Sequence, residues 1–167
     1  MPKALDEIEL PFTFAVVGDA HFTRPELYPD LDRVARGTQA QDVTKYVENV
    51  DYALVPMMES LKAEAPAFVV TLGDLVEGNW DPIRYETDLQ AGLDFFRSYD
   101  PALLVARGNR DRSEAFDRIL YPHLSPLVGR SLEATYYFTD IAGCRLIFLD
   151  TAAWKSDGAQ HTWLERL

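Results

Sequence analysis

Four apolar runs in this chain stop at the same kind of boundary. "VVGD" closes on Asp19, "TLGD" on Asp74, "ARGN" on Asn109 and "IFLD" on Asp150. Short apolar runs rich in β-branched residues read as buried strands. In open α/β sheets the carboxyl ends of such strands line the ligand crevice. Glycine directly before the polar residue, at Gly18, Gly73 and Gly108, permits a sharp turn and close backbone approach. One such "GD" is what any turn aspartate or helix cap looks like. Recurrence at successive strand ends argues instead that oxygen-bearing side chains converge on one edge of a sheet. His21 strengthens this, because it follows Asp19 by two residues and can point the same way in an extended segment. An Asp/His/Asp/Asn set suits manganese, iron or zinc.

The intervening segments fit an α/β fold with a largely parallel sheet. The strands are expected at 12–18, 67–73 and 102–108, with a loop at 20–37 carrying Phe22, Arg24 and Tyr28. Between Gln39 and Glu64, apolar residues at Val43, Tyr46, Val47, Val50, Leu54, Met57, Met58 and Leu61 have helical spacing. Pro56 should kink or split that helix near Val55. Ile83, Leu89, Leu93 and Phe96 mark a second helix over 83–98. A short helix is expected near Ser113–Leu120, with Asp111 and Glu114 at capping-box spacing. Residues 134–139 and 144–149 flank "DIAG" and read as a hairpin, and "AQHTWLERL" begins an amphipathic helix. His123 and His161 read as ordinary surface residues.

With 167 residues and 47% hydrophobic content, the chain can form one globular domain with a core. A net charge of -11 sets the surface against nucleic acid and anionic membranes, which weighs against a nuclease. The single cysteine, Cys144, excludes an intrachain disulfide and fits a reducing compartment. No signal peptide is visible and no run approaches the ~18 apolar residues of a membrane span, so the expected location is cytoplasmic.

Taken in order, the motifs resemble the calcineurin-like metallophosphoesterase family. "GDAH" at 18–21 matches an Asp-x-His motif, "GDLVE" at 73–77 a Gly-Asp-x-x-acidic motif, and "GNRD" at 108–111 stands where the family has Gly-Asn-His-Asp/Glu. "FLDT" at 148–151 and "GAQHTWLERL" at 158–167 resemble its later strand and Gln-x-x-Trp-Leu helix. The resemblance implies a four-layer α/β/β/α sandwich and hydrolysis of phosphoesters by a bridging hydroxide between two divalent ions (Mn, Fe or Zn). It further implies that Asp19 and His21 bind the first metal, Asp74 bridges both, and Asn109 binds the second. Glu77, Asp111 and Asp150 would stand behind these ligands or meet the substrate, which would be a phosphorylated small molecule or another phosphoester. Trp80 and the loop at 20–37 are candidates for a substrate rim, with packing the commoner role for such aromatics.

Two departures qualify this. Arg110 stands where the family has a histidine that helps protonate the leaving group. Arginine binds phosphate oxygens through a planar fork but does not donate a proton usefully. Arg110, beside Asn109 in the catalytic loop, would therefore keep electrostatic stabilisation of the substrate and lose general-acid catalysis, unless it swings away to pair with Asp111 or Glu114. Further histidine motifs of the family do not occur within these residues, so a single domain incomplete at its C-terminus is expected, and these 167 residues alone are expected to bind metal weakly and turn over little. A sheet lacking later strands would expose an edge, which leaves room for a homo-oligomer. The alternative to an enzyme is a degenerate, non-catalytic scaffold or interaction module on the same fold.

Overall fold

A computed structural model describes residues 4–24, 26, 46–77, 82–99, 101–152 and 158–167. Three strands, β1 (Ala15–Val17), β2 (Phe68–Thr71) and β3 (Ala102–Val105), form a parallel sheet in the order β1-β2-β3. Val16 pairs with Val70, and Val70 with Leu104. All four residues of β2 and all four of β3 are buried, which explains their unbroken apolar runs. A second, antiparallel sheet is the hairpin of β4 (Tyr137–Ile141) and β5 (Cys144–Phe148). Its turn places Ala142 at φ 49° and Gly143 at φ 81°. Both being positive is the signature of the two-residue turn that matches strand twist. The expected α/β class and the "DIAG" hairpin are thus present.

The longer helices among the described residues are α1 (Val55–Glu64), α2 (Pro82–Arg97), α3 (Tyr121–Val128) and α4 (Gly158–Leu164). Pro56 has the effect its chemistry demands. It follows a π-helical turn, Val50–Leu54, closed by Val55 N–H onto the Val50 carbonyl. The wider turn accommodates a ring that cannot fit or donate in a regular α-helix. The first part of the expected helix, Gln39–Lys45, lies outside the described residues, as do Tyr28 and Trp80. The same device recurs at Pro122, where the π-helical turn Phe116–Leu120 closes through Tyr121 N–H onto Phe116 O. The helix expected to end near Leu120 therefore continues to Val128, where Gly129 at φ 69° caps it.

The core is one cluster. Leu89, Leu93 and Phe96 of α2 are almost fully buried, as are Phe116, Leu120 and Leu124. Each such side chain contributes roughly 1.5–3 kcal/mol of transfer free energy. Phe22 belongs to this core rather than to a substrate rim, being 0% exposed with its ring centroid 5.0 Å from that of Phe95. Trp163 of α4 packs on Tyr136 and Phe138, one face of the hairpin, while Tyr137, Ile141 and Phe148 are buried on the other.

The two edges of the parallel sheet differ. At β3, the Tyr137 hydroxyl accepts from Val105 N–H (3.2 Å) and donates to Val105 C=O (2.9 Å). His123 Nε2 lies 2.9 Å from the Leu103 carbonyl. Leu103 and Val105 point the same way, so side chains close this edge where another strand would pair. His123 is therefore a half-buried helix residue and not a surface one, and burial pushes its pKa down. At the β1 edge Phe14 and Val16 remain exposed, as does Leu72 just after β2. Among the described residues no helix is long and apolar enough to cross a membrane.

Candidate metal centre

The segments after β1 and β2 run on together beyond the sheet. His21 N–H donates to Asp74 O (2.9 Å) and Phe22 N–H to Leu75 O (2.8 Å). This extension brings the first two strand-end motifs side by side. Asp19, His21 and Asp74 all have positive φ, at 47°, 43° and 48°. For residues with a Cβ this backbone is unfavourable, and its recurrence at functional sites is well established. The three side chains offer one carboxylate oxygen, one ring nitrogen and one carboxylate oxygen, all within 4.8 Å of one another.

Each donor is aimed by a neighbour. His21 Nδ1 lies 2.6 Å from Glu77 Oε2, which leaves Nε2 facing Asp19 Oδ1 (3.8 Å) and Asp74 Oδ2 (4.0 Å). A carboxylate behind the imidazole is the usual way a metal-binding histidine is oriented. Tyr46 stacks on the same ring, with centroids 4.5 Å apart. The hydrogen bond to Glu77, with the charges of Asp74 and Asp19, holds the His21 pKa above its ordinary value against the opposing effect of burial. Asp74 Oδ1 accepts from Arg110 N–H at 2.7 Å, so Oδ2 is the oxygen presented to His21. Asp19 is exposed and Asp74 buried, so the cluster opens to solvent on the Asp19 side.

The third motif meets the second without spare room. A Cβ on Gly73 would lie 2.3 Å from Gly108 N, and one on Gly108 would lie 2.2 Å from Asp74 Oδ1. Gly73 also has φ +99°. Both glycines are thus required by close approach. Gly18 is different: its added Cβ would make only an ordinary contact, 3.9 Å from Leu72 Cδ1.

Asp111 does not cap the next helix. It is fully buried, and its Oδ2 accepts from Asp74 N–H (2.9 Å) and Gly108 N–H (2.8 Å). It joins the second and third motifs instead. Burial pushes its pKa up to about 6, with the amides of Gly108, Asp74 and Leu75 favouring the charged form. Tyr85 of α2 supports the same loop, its hydroxyl accepting from Arg112 N–H at 2.8 Å. Asn109 is exposed on this loop, between Gly108 and Arg110.

Arg110 does not turn to Asp111 or Glu114. Its guanidinium lies 3.4 Å from Glu77 Oε1, so Glu77 faces both His21 and Arg110. The Arg110 side chain is 35% exposed and can be reached from solvent. Asp150 is buried away from the cluster and pairs with Arg107 at 2.6 Å. Residue types alone did not single out Tyr46 or Arg107. Tyr46 read as part of an apolar helix face, and Arg107 fell within the strand expected at 102–108.

The donor chemistry fits a divalent ion. Two carboxylates and an imidazole, with the imidazole's far nitrogen engaged by Glu77, are the ligand types of manganese, iron or zinc. No curated protein matches the chain. The family model described as calcineurin-like phosphoesterase matches residues 12–159, which contain every residue of this cluster and its supports. The chain belongs to the calcineurin-like phosphoesterase family.

Proposed function

We propose that this chain is a metal-dependent phosphoesterase in which Asp19, His21 and Asp74 hold one divalent ion. The observation that carries this reading is the convergence of three ligand-type side chains on three unfavourable backbone conformations. Asp74 would also serve a second ion, with Asn109 supplying a neutral oxygen on the adjoining loop. Divalent ions bound at such a site lower the pKa of water and polarise phosphoryl oxygens.

The protein's own groups divide the remaining work. Glu77 fixes the His21 ring and keeps its Nε2 directed at the carboxylates. Asp111 holds the backbone of Asp74 and Gly108 in one register. Arg110 offers a permanent cation beside the cluster, where it can hold phosphoryl oxygens as charge develops. It brings no proton for the leaving group, so esters of acidic alcohols should be favoured over alkyl esters.

The test is hydrolysis of p-nitrophenyl phosphate, bis(p-nitrophenyl) phosphate and an alkyl phosphate with added Mn²⁺. Turnover of the aryl esters is expected to exceed that of the alkyl ester. Asp74→Asn should reduce the aryl rate by about a hundredfold or more, the scale of losing an electrostatic group at the reacting centre. Arg110→His should narrow the aryl–alkyl gap; no change in the alkyl rate would overturn the role given to Arg110. Absence of Mn²⁺ binding in the wild type would overturn the enzyme reading and favour the scaffold.

A further inference from the structure

The contacts that hold the strand-end loops continue away from the cluster, into the hairpin and α4. Arg107 Nε donates to the Asp111 carbonyl at 2.8 Å. Arg107 Nη1 donates to Asp150 Oδ2 at 2.6 Å. Asp150 is fixed in turn: its Oδ2 accepts from the Thr135 hydroxyl at 2.5 Å, and its N–H donates to Gln160 Oε1 at 2.7 Å. Gln160 Nε2 donates back to the Asp150 carbonyl at 3.1 Å. At the other end, the Asp111 carboxylate holds the amides of Asp74 and Gly108.

We propose that Arg107 is a positioning residue for the ion site, acting through Asp111. One planar guanidinium grips the Asp111 carbonyl and the Asp150 carboxylate together, so the seat of residues 108–111 against Asp74 is set by the hairpin and α4. This rests on the reading that Asp19, His21 and Asp74 hold an ion. Both partners of the ion pair are shielded, with 14% and 2% of their side chains exposed. A buried pair of this kind is poor support for stability, because desolvation offsets most of the attraction. Its geometric value is greater. The guanidinium presents several donors in a rigid fork, whereas a lysine ammonium on a flexible stem cannot hold both oxygens in one plane. The arrangement also accounts for two motifs the cluster leaves unused: the aspartate of "FLDT" and the glutamine of "GAQHTWLERL" are successive links behind Arg107.

The experiment uses the full chain, with amide hydrogen exchange by NMR and Mn²⁺ titration calorimetry. Arg107→Lys retains a cation beside Asp150 and gives up the bond to Asp111. The Asp74 and Gly108 amides are expected to exchange at least about tenfold faster, with the β2–β3 ladder unchanged. Mn²⁺ binding is expected to weaken by about tenfold, as for other groups that orient metal ligands. Asp150→Asn, which leaves the Arg107–Asp111 bond in place, should move both readouts in the same direction by less. Unchanged exchange at those two amides, or Mn²⁺ affinity within about twofold of wild type, would overturn the proposal. If circular dichroism shows Arg107→Lys unfolded, Asp150→Asn decides on the same readouts. If the wild type itself takes up no Mn²⁺, the reading of the site fails, and exchange at Asp74 and Gly108 alone judges Arg107.

Discussion

Asp19, His21 and Asp74 each occupy a backbone region that disfavours an L-residue by roughly 1–2 kcal/mol. That strain persists only because neighbours over-determine it. Asp74 shows how: its N–H, its C=O and its Oδ1 are all engaged, by Asp111, His21 and Arg110. Gly108 makes this possible by lacking a side chain. Gly108→Ala would place a methyl 2.3 Å from the Asp74 backbone nitrogen, where no side-chain motion gives relief. Urea denaturation is expected to show a loss of about 3 kcal/mol, the upper range for an overpacked site. Gly18→Ala, whose Cβ meets only an ordinary contact, should be far milder. The identity of these residues was legible in the sequence, because strand, glycine and acid recur in order. The partner of His21 was not. Glu77 was visible as an acidic residue after the second motif, but its alignment with His21 Nδ1 spans 56 residues of chain.

At the level of elements, the strands and helices appear where periodicity places them, and proline and glycine punctuate them. The exceptions have physical causes. The helix expected near Ser113–Leu120 runs on to Val128, because the π-helical turn before Pro122 accommodates its ring. That extension carries His123 onto β3. Among the described residues the parallel sheet ends at β3, where Tyr137 and His123 bond the backbone of its outer edge. Tyr137→Phe removes the hydroxyl and leaves the buried Val105 N–H and C=O without that partner. Thermal or urea unfolding is expected to show a loss of about 1–3 kcal/mol. A self-association that appears only in the variant, read by sedimentation, would show the edge newly opened.

Over the whole molecule, the cluster draws on every layer. Its donors come from the ends of β1 and β2, while the third motif follows β3. Tyr85 of α2 steadies Arg112, and Arg107 reaches Asp150 beyond β5. An ion held by the native cluster alone should therefore stabilise the whole fold by linkage. Mn²⁺ at about a hundred times its Kd is expected to add about 2.7 kcal/mol, several degrees in Tm for a domain of this size. Differential scanning fluorimetry with and without a chelator reads this directly, and Asp74→Asn should abolish the shift. A Tm indifferent to Mn²⁺ in the wild type would count against the ion site.

The sequence by itself determined the α/β class, the strand ends and the residue types presented there. Those are set by local signals: β-branched runs, glycine before a polar residue, and apolar spacing along a helix. Only the tertiary structure decided what those residues do to one another. Asp111 lies at helix-capping distance from Glu114 in the chain, yet it binds amides 37 and 3 residues away. Arg110 neighbours Asp111 but meets Glu77, and Arg107 pairs with an aspartate 43 residues on. A short-range pattern records which groups are available. Their partners are fixed by how the strand ends converge, and that is a property of the folded sheet.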